Sequence, residues 1–374
     1  MRGYLTGIPE AMSHATRKNI GVIGLGIIGR GIAGNLRRKG FPVYVWNRSP
    51  RSVPNFVGSP AEVAEICNYI QIFVSDDEAL LQTAQQLGEK ITPRHLVFAH
   101  STVAPDSMRA AAEIIERRKA RFVEAPFTGS KTAAEKGELV YYVSGNDAAL
   151  REARPILQAS SKEIIEIGAT IGQASAIKIA TNMITAASVQ AAAEALALVQ
   201  ALGLPLEKFV EAMRSNASNS TTLAMKLPKI LSRDFEPHFS VKHMLKDMQI
   251  ANQIGLSNYL DLGVTAAARD QLLEQMHWGH GDDDYSVVAR KYLNEPAPAA
   301  AEELELGEEE EKIDTGESIA SSAEADTRSR QDKGPKVTPA PLIGVASSGA
   351  ANETTRLRPG FFKQFLSRLS SGKE

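Results

Sequence analysis

Apolar and polar positions fall into two regimes along the chain. The first opens at Asn19-Ile-Gly-Val-Ile-Gly-Leu-Gly26, a short apolar run ending in glycines. Such a run predicts a buried strand entering a tight turn. A helical pattern follows over 27–39 and stops at Gly40, a helix C-terminal signal. Strand-like runs at 42–46, 69–74 and 95–99 then alternate with helical stretches at 61–67, 78–87 and 105–119. That alternation predicts a parallel sheet covered on both faces. Runs at 121–124, 139–143 and 162–167 extend the sheet, with a helix over 147–158 among them. After Gly172 the strand patterns stop. Positions 173–202 contain neither Gly nor Pro and read as one helix, roughly 45 Å long at the usual rise per residue. Helical segments at 205–214, 223–231, 240–254, 264–276 and 285–293 follow. An α/β domain over 19–172 and an all-α domain over 173–295 are therefore expected.

The two ends differ from this body. Residues 1–18 form a polar, mixed leader without the apolar core of a secretory signal. From Glu295 the composition shifts to Pro296-Ala-Pro-Ala-Ala, an acidic run around 302–312, and then Ser, Thr, Asp and Pro without periodicity. Such a segment buries too little apolar area to offset chain entropy, so 296–374 is expected to be a disordered tail. Near its end Phe361, Phe362, Phe365, Leu366 and Leu369 recur at helical spacing, with Arg356, Arg358, Lys363 and Arg368 interspersed. This is the pattern of a terminal amphipathic helix making weak membrane or protein contact.

Composition narrows the function classes. Lys and Arg total 42 against 44 Asp and Glu, so the chain lacks the positive excess of a general nucleic-acid binder. The single cysteine, Cys67, excludes an intramolecular disulfide framework and a cysteine-based zinc site. It fits a reducing, cytoplasmic setting. The most apolar long stretch, 174–204, carries Lys178, Asn182 and Glu194, each costly in a bilayer, and reads as a buried Ala-rich helix. His277, His280 and residues 282–284 read as a solvated turn, and no metal is expected.

Gly24-Leu25-Gly26-Ile27-Ile28-Gly29 fits G-x-G-x-x-G between a strand and a helix, the context a dinucleotide requires. In that Rossmann-type arrangement Gly24 permits the turn, Gly26 lets the backbone approach a pyrophosphate, and Gly29 lets the helix pack on the strand. Ile27 and Ile28 complete the cofactor-binding turn. At the end of the second strand stand Asn47-Arg48-Ser49. An NAD enzyme usually has a carboxylate there for the ribose hydroxyls. Arg48 instead offers a fork suited to a 2′-phosphate, with Asn47 and Ser49 adding hydrogen bonds, so NADP(H) is favoured over NAD(H).

Lys178 and Asn182 share one face of the long helix. From spacing alone the lysine reads equally well as a snorkelling residue at a domain surface. Four stretches add to this. They are the glycine turn with Asn35-Leu36 and Val45-Trp46-Asn47-Arg48; Ser101-Thr102-Val103 with Pro105; Glu124-Ala-Pro-Phe-Thr-Gly-Ser-Lys131 with Ala134-Glu135 and Gly137; and Lys178 with Asn182, then Lys246-Asp247. In order and spacing the chain from Asn19 to about Glu295 resembles the β-hydroxyacid dehydrogenase family, that of 3-hydroxyisobutyrate dehydrogenase, and most of all its glyoxylate/succinic semialdehyde reductases.

The resemblance implies roles by position. Lys178 matches the catalytic lysine. Thr128, Gly129 and Ser130 match the loop that holds the substrate carboxylate, and Asn182 the side chain that helps place the substrate. Thr102 and Lys246 match cofactor contacts near the nicotinamide, and Ser75 lies where the family's chain passes the cofactor. The implied reaction is NADPH-dependent reduction of a small aldehyde acid by a homo-oligomer, with Lys178 as general acid. A 3-hydroxyisobutyrate or tartronate semialdehyde dehydrogenase is the near alternative. A cofactor-sensing interaction protein working through its tail is the alternative of another class. Ala174 stands where the family often has a second Gly, and Phe127-Thr128 stand where Val-Ser is usual. The latter pair is expected to enlarge the loop and change the substrate size accepted.

Overall fold

The computed structural model describes residues 18–293. The rest of the leader and the tail, with its expected disorder and terminal helix, lie outside the described residues. Lys18, counted with the leader, belongs to the fold. Its ammonium lies 3.6 Å from Glu152 and 5.0 Å from the centre of the Tyr69 ring.

Strand β1 (Ile20–Ile23) is buried throughout and leads into α1 (Ile27–Arg38), whose last turn carries Arg37 and Arg38 against the negative end of the helix dipole. Then come β2 (Val43–Trp46), α2 (Pro60–Ile66), β3 (Tyr69–Ile72), α3 (Asp77–Gly88), β4 (Leu96–Ala99), α4 (Pro105–Glu116) and β5 (Arg121–Glu124). Side chains of Ser59 and Asp76 cap α2 and α3 by accepting the Glu62 and Ala79 N–H groups. Next are β6 (Phe127–Thr128), α5 (Lys131–Lys136), β7 (Leu139–Ser144), α6 (Asp147–Gln158) and β8 (Ser161–Gly168). The strand order is β2-β1-β3-β4-β5-β7-β6, with β8 beside β7.

The first five strands are parallel, with Ile20 opposite Val43 on one side and Tyr69 on the other. The sheet is not parallel throughout, however. β7 runs antiparallel to β5 and β6, and parallel to β8. The connection from β6 to β7 holds only the six-residue α5, too short for a crossover that returns parallel. Neighbouring residues feed opposite faces of the sheet. Phe98 joins Ile20, Leu36 and Tyr141 on one face, while Val97 joins Ile70, Leu80 and Met108 on the other. Each such side chain contributes about 1.5–3 kcal/mol by leaving water.

The 29-residue α7 (Gln173–Ala201) begins the helical part, followed by α8 (Leu206–Arg214), α9 (Thr221–Leu231), α10 (Val241–Ser257) and α11 (Gly263–His277). Val189 and Leu196 of α7 pack with Leu227, Met244 and Leu272. By length and composition α7 could cross a membrane, yet one face lies in this core. The Ala-rich helix expected to be buried is so on one face, while Ile184 and Leu198 are 70% and 62% exposed.

The stretch 285–293 was expected to be helical. It starts instead with a 3-10 turn, Tyr285–Ala289, whose five residues are all buried. Asp284 is not part of a solvated turn either. It is fully buried, accepts from Lys226 Nζ at 2.6 and 2.7 Å, and takes the His238 N–H at 3.0 Å. Of the neighbouring residues, Asp283 pairs locally with His280 at 2.8 Å, and Asp282 pairs with Lys242 of α10.

Candidate functional site

The glycine turn is held between β1 and β2. Gly24 has φ +95°, and its N–H donates to Trp46 O at 2.9 Å. A Cβ on Gly24 would lie 2.0 Å from the Phe73 carbonyl oxygen, and one on Gly29 2.0 Å from that of Gly24. Neither position admits a side chain. Gly26 differs, because a Cβ there meets nothing within 4 Å. Gly26 is also the N-cap of α1 and offers no side-chain cap. The turn thus presents an open, uncapped helix N-terminus, which fits a pyrophosphate. Ile27 and Ile28 are half-buried, and Ile28 packs on the sheet core.

At the end of β2, Asn47 has a task beyond the one expected. Its Oδ1 accepts the Leu25 N–H at 2.9 Å and its Nδ2 donates to Ser49 O at 2.8 Å. The amide ties the β2 terminus to the glycine turn and keeps one Nδ2–H beyond these two bonds. Arg48 and Ser49 are exposed beyond it. Across the opening, Asp76 caps α3. Burial works against its charge, but hydrogen bonds from Ser75 and the Ala79 N–H, with Lys246 and Arg48 nearby, hold its carboxyl below the usual range. Ser75 gives its hydroxyl to Asp76 at 2.5 Å. Arg48 and Lys246, far apart in sequence, both act on this one carboxylate.

A chain of polar contacts links α7 to α10 and back to the end of β4. Lys178 Nζ donates to Asn182 Oδ1 at 2.9 Å, and Asn182 Nδ2 donates to Asp247 Oδ2 at 2.6 Å. The other oxygen of Asp247 accepts from Lys246 Nζ at 2.7 Å, and Lys246 also donates to the backbone oxygen of Thr102. Asn182 and Asp247 are buried, while Lys178 and Lys246 on either side of them are half-buried. Burial pushes Lys178 down to about 8, with Lys246 adding to the fall and Asp247 opposing it. Four of the residues singled out in the sequence, Lys178, Asn182, Lys246 and Thr102, are thus brought together. Asp247, quoted in the sequence without a role, is the hub. Its signal was a Lys-Asp pair amid the buried Met244, Leu245 and Met248.

The loop 128–130 runs from β6, whose Thr128 pairs with Val140 of β7, into α5. Thr128 is exposed, Gly129 has φ +143°, and Ser130 caps α5 by accepting the Ala133 N–H at 3.2 Å. Phe127, expected to enlarge this loop, is half-buried against the sheet core. Its ring packs inward with Phe73 and Tyr141, at 6.3 and 6.4 Å between centroids. Behind it, His100 stacks on Phe73 at 4.4 Å and donates from Nδ1 to Ala125 O at 2.8 Å. Burial pushes His100 down to about 4, so it stays neutral. Ala174, at the start of α7, is fully buried.

Comparisons with known proteins point to dinucleotide-binding dehydrogenases. Residues 19–168 match the NAD binding domain of 6-phosphogluconate dehydrogenase, and residues 172–292 match the NAD-binding family of NADP-dependent 3-hydroxyisobutyrate dehydrogenase. The chain is 31% identical over 279 residues to glyoxylate/succinic semialdehyde reductase 1 of Arabidopsis thaliana, covering 72% of this chain and 96% of that one. It is 30% identical over 289 residues to the cytokine-like nuclear factor N-PAC of Danio rerio, covering 75% of this chain but only 63% of that protein. In fold it is similar to a Mycobacterium tuberculosis 3-hydroxyisobutyrate dehydrogenase solved with L-serine, with a TM-score of 0.67, 24% identity, and coverage of 74% of this chain and 99% of that one.

Proposed function

For this chain, which belongs to the β-hydroxyacid dehydrogenase family of NAD(P)-dependent oxidoreductases, we propose NADPH-dependent reduction of a small aldehyde acid, of the glyoxylate or succinic semialdehyde type, to its hydroxy acid. The observation that carries this reading is the run of contacts Lys178–Asn182–Asp247–Lys246, which holds one half-buried ammonium against a neutral acceptor. A snorkelling surface lysine would have neither the buried partner nor the lowered pKa.

The dinucleotide, when bound, supplies the hydride. The chain's own residues do the rest. Gly24, Gly26 and Gly29 shape the turn that takes its pyrophosphate, and Thr102, Ser75 and Lys246 line its passage toward Lys178. Lys178 Nζ holds a proton at neutral pH and, with a pKa near 8, releases it to a carbonyl oxygen as charge develops there. Residues 128–130 take the substrate carboxylate, and Asn182 orients both Lys178 and the substrate.

Arg48 supports the preference for NADP(H). No carboxylate stands at the end of β2, and Arg48 is exposed there. Arg48 is therefore the charged group left facing a 2′-phosphate. The intact Lys178–Asn182 pair favours an enzyme over a cofactor-sensing interaction protein. A homo-oligomer formed through the helical part fits the exposed Ile184, Leu198, Leu256, Tyr259 and Val264.

The test is a panel of aldehyde acids and hydroxy acids, glyoxylate, succinic semialdehyde, tartronate semialdehyde and 3-hydroxyisobutyrate among them, assayed with NADPH and with NADH. Highest kcat/KM for glyoxylate or succinic semialdehyde with NADPH supports the reading, and highest kcat/KM for tartronate semialdehyde contradicts it. Turnover confined to 3-hydroxyisobutyrate with NAD, or turnover of none, contradicts it.

A further inference from the structure

The long helix that carries Lys178 starts without a cap of its own. Its N-cap is Gly172, with φ +99° and no side-chain hydrogen bond, and its first turn holds no acidic residue. The first N–H groups of a helix need acceptors from elsewhere. Here they come from another part of the fold. Glu124, the last residue of β5, accepts the Gly172 N–H at 2.6 Å through one carboxylate oxygen and the Ser175 N–H through the other. Glu124 is fully buried. Gly172 is closely approached from α4 as well, since a Cβ there would lie 2.5 Å from Arg109 Nη1 and 3.2 Å from Pro105 Cβ.

A buried carboxylate is a costly way to cap a helix. Burial penalises its charge, and the hydrogen bonds from the start of α7 offset that only in part, so the carboxyl stays above its usual range. An ordinary Ser or Asn at the N-cap satisfies one such N–H at the surface without that penalty. What Glu124 adds is a fixed link between two bodies. β5 belongs to the same sheet as β1, which feeds the glycine turn. Ser175 stands one turn before Lys178, and one turn after Lys178 comes Asn182, bound to Asp247 of α10. The lysine therefore lies between an anchor to the sheet and an anchor to the helical part.

We propose that Glu124 is a positioning residue for Lys178: by clasping the Gly172 and Ser175 N–H groups, it fixes the start of α7, and with it the lysine ammonium, relative to the sheet that carries the cofactor turn. This rests on the reading of Lys178 as proton donor. Misplacing a reacting group by about 1 Å costs roughly 10²-fold in rate. Glu124→Gln keeps the shape but turns an amide N–H₂ toward one of the two N–H groups, and so loosens the clasp.

The experiment compares wild type, Glu124→Gln, Lys178→Ala and the double variant in the full-length chain, with kcat expressed per cofactor-binding site titrated with NADPH. The expected result is a kcat at least about tenfold lower in Glu124→Gln, with Kd for NADPH and KM for the aldehyde acid within about threefold. The double variant should be no more than about twofold slower than Lys178→Ala, because groups acting as one unit are not additive. A kcat per site within twofold of wild type, or losses that multiply in the double variant, overturns the proposal. A near-normal kcat in Lys178→Ala overturns the proton-donor reading and this proposal with it. A slow Lys178→Ala beside a normal Glu124→Gln overturns this proposal alone. If Glu124→Gln yields no cofactor-binding protein, Glu124→Asp, which keeps the charge on a shorter stem, is judged by the same criteria.

Discussion

The amide nitrogen of Asn182 donates to Asp247 across 2.6 Å, and that bond decides which way the amide faces. A carboxylate accepts only, so the nitrogen is committed to it and the oxygen is left for the Lys178 ammonium. Lys178 thereby meets a neutral acceptor, with the carboxylate one residue further away. A direct ion pair would raise its pKa. At one remove Asp247 only softens the fall that burial imposes.

This arrangement sets the pH dependence. Reduction needs Lys178 protonated, so kcat should fall as pH rises through about 8, and the reverse oxidation should gain over the same range. Asp247→Asn removes the charge that holds the pKa up, so the alkaline limb should move to lower pH. Steady-state pH profiles of both proteins check this. A limb that stays in place would show that another group governs it.

Arg48→Ala should raise KM for NADPH by about tenfold and leave KM for NADH nearly unchanged. Arg48 is exposed, so its charge-assisted contact is expected near the weak end of the range for such bonds, about 1.5 kcal/mol. The two KM values, measured side by side, decide it, and equal losses with both cofactors contradict a 2′-phosphate contact.

How legible the molecule was in its sequence depended on how far apart the interacting residues lie. The glycine turn could be read because Gly24, Gly26 and Gly29 act within a single strand–turn–helix. The shared face of Lys178 and Asn182 could be read because helical spacing dictates it. β6 and α5 were missed because two residues of strand and six of helix are too short to show a period. The direction of the Asn47 amide is set by the N–H of Leu25 on a neighbouring strand end, and local pattern carries no trace of that. Asp284 looked solvated among Gly, His and Asp neighbours, because its partner Lys226 lies 58 residues upstream. Phe127 looked like a loop residue, and only the tertiary fold supplies the rings of Phe73 and Tyr141 that hold it.

The Lys226–Asp284 pair is the polar knot of the helical part, joining α9 to the segment before α10 and to the terminal 3-10 turn. Lys226 is 1% exposed and Asp284 not at all. Asp284→Asn leaves a buried ammonium without its counter-charge, which should cost about 3–5 kcal/mol of stability. Urea unfolding measures it. A loss below about 1 kcal/mol would mean that water reaches the ammonium.

Deleting residues after Glu295 should leave reductase activity within about twofold, since a segment of low apolar content does not hold a preorganised site. Every side chain placed in the site lies between Gly24 and Asp247. Truncated and full-length proteins, assayed at equal cofactor-binding concentration, provide the comparison. Loss of catalysis on truncation would make the tail part of the active fold.

The most direct test of the account is Lys178→Ala, examined by NADPH titration and by steady-state rates on the best aldehyde acid. Removing a general acid typically costs about 10²–10⁴-fold, so kcat should fall by that much while Kd for NADPH stays within about twofold. A variant that binds NADPH normally and keeps a near-normal kcat would contradict the account, because the network built around Lys178 would then serve packing rather than proton transfer.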